Sequence, residues 1–305
     1  MSRGSGTASG WSRRRPHEPA GPPQGRIPSA EREGSPVSSP AALSARRIYA
    51  MILRHLYLFK KSWVRVVEMA YWPTMQMVLW AFIAKFLATN SSLIAQVPGV
   101  LVSALLLWEI LFRGQLGVAL SFFEELYSRN LGHLFVSPLR PLELVAAMIG
   151  VSLIRTVIGV GTAIALAIAL YQTSIFDLGV PLVSFFANLL VTAWSVGLMV
   201  SALVMRYGLA AENFAWGAIF IAAPISGIYY PIAVLPPWLQ AVAWWLPTSH
   251  VFEGMRAVLL EGTFRWDYFW TTVALNALYL LVGVAVFLAS FNGARKRGML
   301  LQIGE

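Results

Sequence analysis

Polar and apolar positions in this chain fall into long blocks rather than a short alternation. Apolar runs occupy about 66–88, 97–123, 142–171, 180–205, 214–230 and 268–292. A helix crosses the hydrocarbon layer of a bilayer with about 20 apolar residues, so these runs predict six transmembrane helices. Pro73 and Pro224 fall inside two of them, where membrane helices accommodate kinks. Ahead of the first run, 41–65 is basic and amphipathic, with Ile48, Ile52, Leu56 and Phe59 at helical spacing among Arg46, Arg47, Arg54, Lys60 and Lys61. That pattern suits either a helix lying in the membrane surface, its cations on lipid phosphates, or a plain extension of the first span.

One apolar stretch does not fit a span. Between Gly227 and Gly262, Pro231, Pro236, Pro237 and Pro247 interrupt a run rich in tryptophan. Proline inside a helix removes a hydrogen bond and clashes with the preceding turn, so 231–262 predicts two short helices that dip into the bilayer and return. Trp238, Trp244 and Trp245 sit beside the prolines, as interfacial aromatics do. Thr248 or Ser249 is the expected cap of the second helix, and Gly262 its stop. Broken backbone survives at membrane depth only when protein or a water path covers it, which marks this stretch as a functional candidate.

Composition agrees with a membrane protein: 57% of the 305 residues are hydrophobic and 12% charged. The net charge of +9 lies in the tail and in short loops, so topology accounts for it better than nucleic-acid binding. Lys and Arg collect before the first run, at Arg129 and Arg140, at Arg206, and at 295–297, whereas the opposite loops hold Lys85, Arg256 and Arg265. This places both termini in the cytoplasm and the broken stretch on the outer face. Residues 1–40, rich in Ser, Gly, Pro and Arg, have too few aliphatic residues for a core and read as a disordered tail. The fold class is therefore all-α integral membrane, with a disordered tail and one membrane domain over 41–305.

Catalytic signatures are sparse. There is no cysteine, no phosphate-binding loop and no zinc-protease or nucleophile-elbow motif, so no cofactor is expected in this chain. Ser249, His250 and Glu253 resemble a triad only by proximity. Glu109 and Arg113, one turn apart in the second run, form either a structural ion pair or part of a substrate path. Glu253 and Arg256 pose the same choice at the outer face. Arg155 has no partner in its own run, so a carboxylate or carbonyls from a neighbouring helix are expected. The segment Glu124–Arg140 predicts one short helix over 124–137, with Glu125 and Arg129 four apart, suited to docking a soluble partner or to a solvated loop.

Two segments together resemble a family. EELYSRNLGHLFVSPLR, through Glu125, Arg129, Gly132, Leu134, Ser137, Pro138 and Leu139, is similar to the cytoplasmic segment of type-2 ATP-binding-cassette exporter permeases. His133 departs from it, standing where many members carry Thr. Ser226, Gly227, Pro231, Leu235, Pro236, Trp238, Leu239, Pro247, Arg256 and Leu259 resemble that family's outer signature. The resemblance implies a homodimer of permeases in a bacterial inner membrane, working with a separate ATPase subunit and exporting a drug, lipid or polysaccharide. It implies that 41–65 is a connecting helix. Glu124, Glu125, Arg129, Gly132 and Pro138 would take part in ATPase coupling. Glu109, Arg113, Arg155, Tyr229, Tyr230, Trp238, Glu253 and Arg256 would line the path or outer gate. An integral-membrane enzyme acting on lipid-linked substrates is the alternative from another class, and an ATP-independent channel or scaffold a third.

Overall fold

The computed structural model describes residues 40–61, 63–90, 97–128, 130–171 and 179–297. The tail assigned to 1–40, apart from Pro40, and Arg129 lie outside them. The described chain is helical: α1 (Pro40–Lys61), α2 (Trp63–Asn90), α3 (Val97–Tyr127), α4 (Leu131–Val136), α5 (Pro141–Tyr171), α6 (Val180–Tyr207), α7 (Asn213–Ala222), α8 (Pro237–Ala243), α9 (Pro247–Arg256) and α10 (Trp266–Arg297). A π turn, Ala257–Glu261, extends α9. Helices α3, α5, α6 and α10 combine the length and apolarity of membrane spans. Helix α2 matches them in length, with 28 residues.

Apolar runs of this length leave backbone polar groups nothing to bond but one another, which selects helix. Packed neighbours follow the order α2, α5, α3, α6, α10, so α3 and α6 are enclosed while α10 is largely bare: 83% of the apolar window of α3 is buried against 22% for α10. Small residues set the closest approaches, as expected where no water drives helices together. A Cβ on Gly117 would stand 2.8 Å from the Ser152 Cα, and one on Gly283 2.8 Å from the Ser195 carbonyl oxygen. Two apolar cores fill the bundle. One, around Leu105, Trp108, Leu189 and Phe252, lies toward α8 and α9. The other, around Phe122, Phe123, Met148 and Phe287, lies toward α4.

Three expectations need correction. The stretch 214–230 is not one helix: α7 has 10 residues, too short to cross alone. Turns follow to Tyr230, because Pro224 has no N–H to donate and Gly227 turns the chain at φ +65°. The segment 124–137 is likewise two pieces, with α3 running on to Tyr127 and α4 beginning at Leu131. Finally, α9 is not capped by Thr248 or Ser249. Leu246 is its cap and Pro247 its first residue, where the missing N–H costs nothing. Its exit matches expectation: Gly262 is left-handed at φ 67° and its N–H bonds the Val258 carbonyl.

Candidate functional site

Functional candidates gather at the two ends of the bundle. At the α4 end, three helices converge on acidic residues. Glu125, 2% exposed, accepts from Arg54 Nη1 of α1 at 2.9 Å and from Asn130 Nδ2 at 2.7 Å. His55 Nε2 stands 3.5 Å from its other oxygen, while His55 Nδ1 lies 3.0 Å from the Met51 carbonyl oxygen. Glu124 accepts from Arg155 Nη2 of α5 at 2.8 Å, and the Arg155 guanidinium caps the Phe59 ring of α1, 4.5 Å from its centroid. Lower down, Glu143 of α5 accepts from Ser44 Oγ at 2.6 Å and from Arg47 at 3.3 Å. Amphipathic α1 is therefore fastened to α3 and α5 by charge as well as by its buried stripe Met51–His55–Phe59.

This arrangement corrects the picture of a charged docking face. Glu124 and Glu125 point into the protein, because burying carboxylates beside α1 is offset only by the guanidinium and amide donors found there. What stands outward is α4 itself, where Leu131 and Leu134 are buried and His133 is exposed, followed by exposed Pro138 and Arg140. Gly132 is half-buried. Arg155 has its carboxylate from a neighbouring helix, Glu124, as expected.

Midway along α3, Arg113 Nε donates to Glu109 Oε2 at 2.9 Å. Both are largely buried, with side chains 12% and 2% exposed. The guanidinium lies where a Cβ on Gly159 of α5 would be, 2.8 Å from Arg113 Nε. The absent side chain of Gly159 makes room for the pair, which bonds α3 to itself.

At the other end, the broken stretch is tied by single polar contacts. Glu253 Oε1 accepts from the Ile232 N–H at 2.7 Å and from Arg256 Nη2 at 2.9 Å. Ser226 Oγ and Thr248 Oγ1 share a hydrogen bond of 2.7 Å. Tyr230 donates to the Pro224 carbonyl at 2.7 Å. Tyr229 stacks on Trp80 of α2, centroids 5.3 Å apart. Trp238 is 67% exposed. Buried His250 bonds the Trp244 carbonyl through Nε2 at 3.0 Å, so Nε2 carries the proton. Desolvation holds its pKa below the ordinary imidazole value, despite the opposing pull of that carbonyl and of Asp267 and Glu253.

Sequence reading missed one polar cluster inside the bundle. Asn276 Nδ2 of α10 donates to both the carbonyl and the Oδ1 of Asn188, each at 3.0 Å, and Thr192 Oγ1 donates to Asn276 Oδ1 at 2.6 Å. Asparagine within an otherwise apolar run was the available signal. Among the described residues no group of His, Cys, Asp and Glu is disposed to hold a metal ion.

A family model, ABC-2 type transporter, matches residues 48–260. The chain belongs to this family. It is thus a membrane permease component of an ABC transporter, a transport subunit of a class that usually works with an ATPase partner. The match to ABC-2 permeases takes in most of α1, all of α2–α9 and both polar ends described above. No individually curated protein matches the chain.

Proposed function

We propose that this ABC-2 permease is an exporter subunit, in which two copies form the substrate path and α4 receives the stroke of a separate ATPase. The observation that carries the reading is the α4 end. A short helix presents His133 outward while the residues behind it, Glu124 and Glu125, are bolted to α1 and α5. A push on α4 enters a junction of three helices rather than a loose loop. The basic residues on this side favour the cytoplasm, which makes α1 a connecting helix at the membrane surface and puts both termini inside.

Six crossings follow if α7 and the turns to Tyr230 together make the fifth. Helices α8 and α9 are then a broken pair at the outer face, acting as the exit gate. Exposed Trp216 and Phe220, one turn apart on α7, supply an aromatic face suited to a second copy and to an amphipathic drug, lipid or saccharide between them. Glu109–Arg113 and Glu253–Arg256 act in this reading as struts beside the path.

The chain has no native cysteine, so single cysteines report cleanly. His133→Cys is expected to crosslink to the co-expressed ATPase, and to react with an impermeant maleimide only after the membrane is opened. Trp238→Cys is expected to react in intact cells. Labelling of His133→Cys from outside, or purification without an ATPase, overturns the reading.

A further inference from the structure

Beside the broken stretch, a cleft of about 610 Å³ opens between the α8–α9 turn and α10, within the size range of small-molecule sites. It is graded in polarity along one face of α10. Asp267, Thr271 and Leu275 follow one another at four-residue spacing, about 12 Å of helix. At the polar end Arg265 grips Asp267 through two contacts, 2.9 Å and 2.6 Å, and its guanidinium covers the Tyr268 ring at 4.5 Å. Trp244 and Trp245, 45% and 67% exposed, form the opposite wall. The far end is aliphatic at Leu275.

Two features separate this cleft from an ordinary aromatic belt. The first is that a full positive and a full negative charge share one mouth, and both are exposed. Water screens such an exposed pair, so it can open for a ligand that replaces both halves. The second is His250, which lines the cleft and is 2% exposed. Its Nε2 proton is committed to Trp244, leaving Nδ1 a bare acceptor with no protein partner. A buried acceptor of this kind calls for a donor.

We propose that the cleft binds a zwitterionic phospholipid, with its phosphate on Arg265, its ammonium on Asp267 and an acyl chain along Trp245 toward Leu275. Both charges of the headgroup are then matched, and the ammonium has donors to spare for a neighbouring acceptor. An anionic lipid would satisfy Arg265 but face Asp267 uncompensated, and a neutral sugar would use neither charge. Its position at the outer leaflet rests on the orientation proposed above, whereas the site itself does not.

Native mass spectrometry of the full-length chain in detergent tests it, because binding in a micelle is independent of sidedness. Dioleoyl phosphatidylethanolamine and dioleoyl phosphatidylglycerol are the probes. The wild type is expected to retain the ethanolamine lipid about fivefold better, the equivalent of roughly 1 kcal/mol. Asp267→Asn is expected to reverse the preference toward the glycerol lipid, since Arg265 is then unopposed. Trp245→Ala is expected to weaken both lipids equally. Equal retention by the wild type, an unchanged preference in Asp267→Asn, or displacement of both lipids by an alkyl maltoside overturns the proposal. Cysteine labelling that failed the proposed orientation would leave these ratios untouched.

Discussion

The two ends of the bundle solve the same problem by different means. At the α4 end, charged side chains reach from one helix to another: Arg54 to Glu125, Arg155 to Glu124, Arg47 to Glu143. At the α8–α9 end, backbone does most of the work. Prolines stop helices, glycines turn them, and the Tyr230 and Glu253 side chains bond backbone groups, of Pro224 six residues back and of Ile232 across α8. Cross-helix charge makes the first end a rigid junction whose parts move together. Local ties leave α8 bound mainly to its neighbours in sequence, whereas α9 is held by packing against α6 and α10. The proposed coupling through α4 draws on the first of these two constructions, and the proposed gate on the second.

Breaking the junction has the largest expected effect. Glu125→Ala removes the buried acceptor shared by Arg54 and Asn130, and losing charge-assisted hydrogen bonds of this kind costs about 2 kcal/mol. A large fall in the melting temperature of the detergent-solubilised chain is expected. Glu253→Gln should be milder, about 1 kcal/mol, since the amide oxygen still serves the Ile232 N–H while Arg256 loses its charge partner. A loss equal to that of Glu125→Ala would erase the contrast. Gly262→Ala isolates backbone alone, because a Cβ there meets nothing within 4 Å. The left-handed conformation by itself should cost about 1 kcal/mol, read in the same melting experiment.

The smallest effect is a pH dependence at the α8–α9 end. His250 has a lowered pKa when folded, so the unfolded chain binds its proton first. Its contribution is complete above the ordinary imidazole value of about 6.5 and is lost as pH falls below it. His250→Asn is expected to flatten the melting temperature between pH 7 and 5, and an unchanged slope refutes that assignment.

Much of this fold was legible because membrane helices announce themselves. Length and apolarity located α3, α5, α6 and α10 to within a few residues, and four prolines located the broken stretch. Arg155 could be assigned a partner on another helix, a carboxylate or carbonyls, because a lone buried cation requires one, and the structure supplies Glu124. Periodicity could not say which way Glu124 and Glu125 face. A polar pair near a helix end looks the same whether water or another helix lies opposite. The short α7 was missed for a related reason, since apolarity alone does not distinguish a span from a helix that stops at Pro224. His55 escaped notice because it sits in the apolar stripe of α1, between Met51 and Phe59.

The amides shared by α6 and α10 constrain motion more than their number suggests. Helix α10 is the most lipid-accessible of the four long apolar helices, yet Asn276 and Asn188 lock it side by side with α6, and Gly283 seats it against the Ser195 backbone. Each such bond within a membrane contributes about 0.6 kcal/mol, but all must break together before α10 can slide, because one amide makes them all. Helices α6 and α10 are thereby fixed in one register, a paired unit rather than two independent helices.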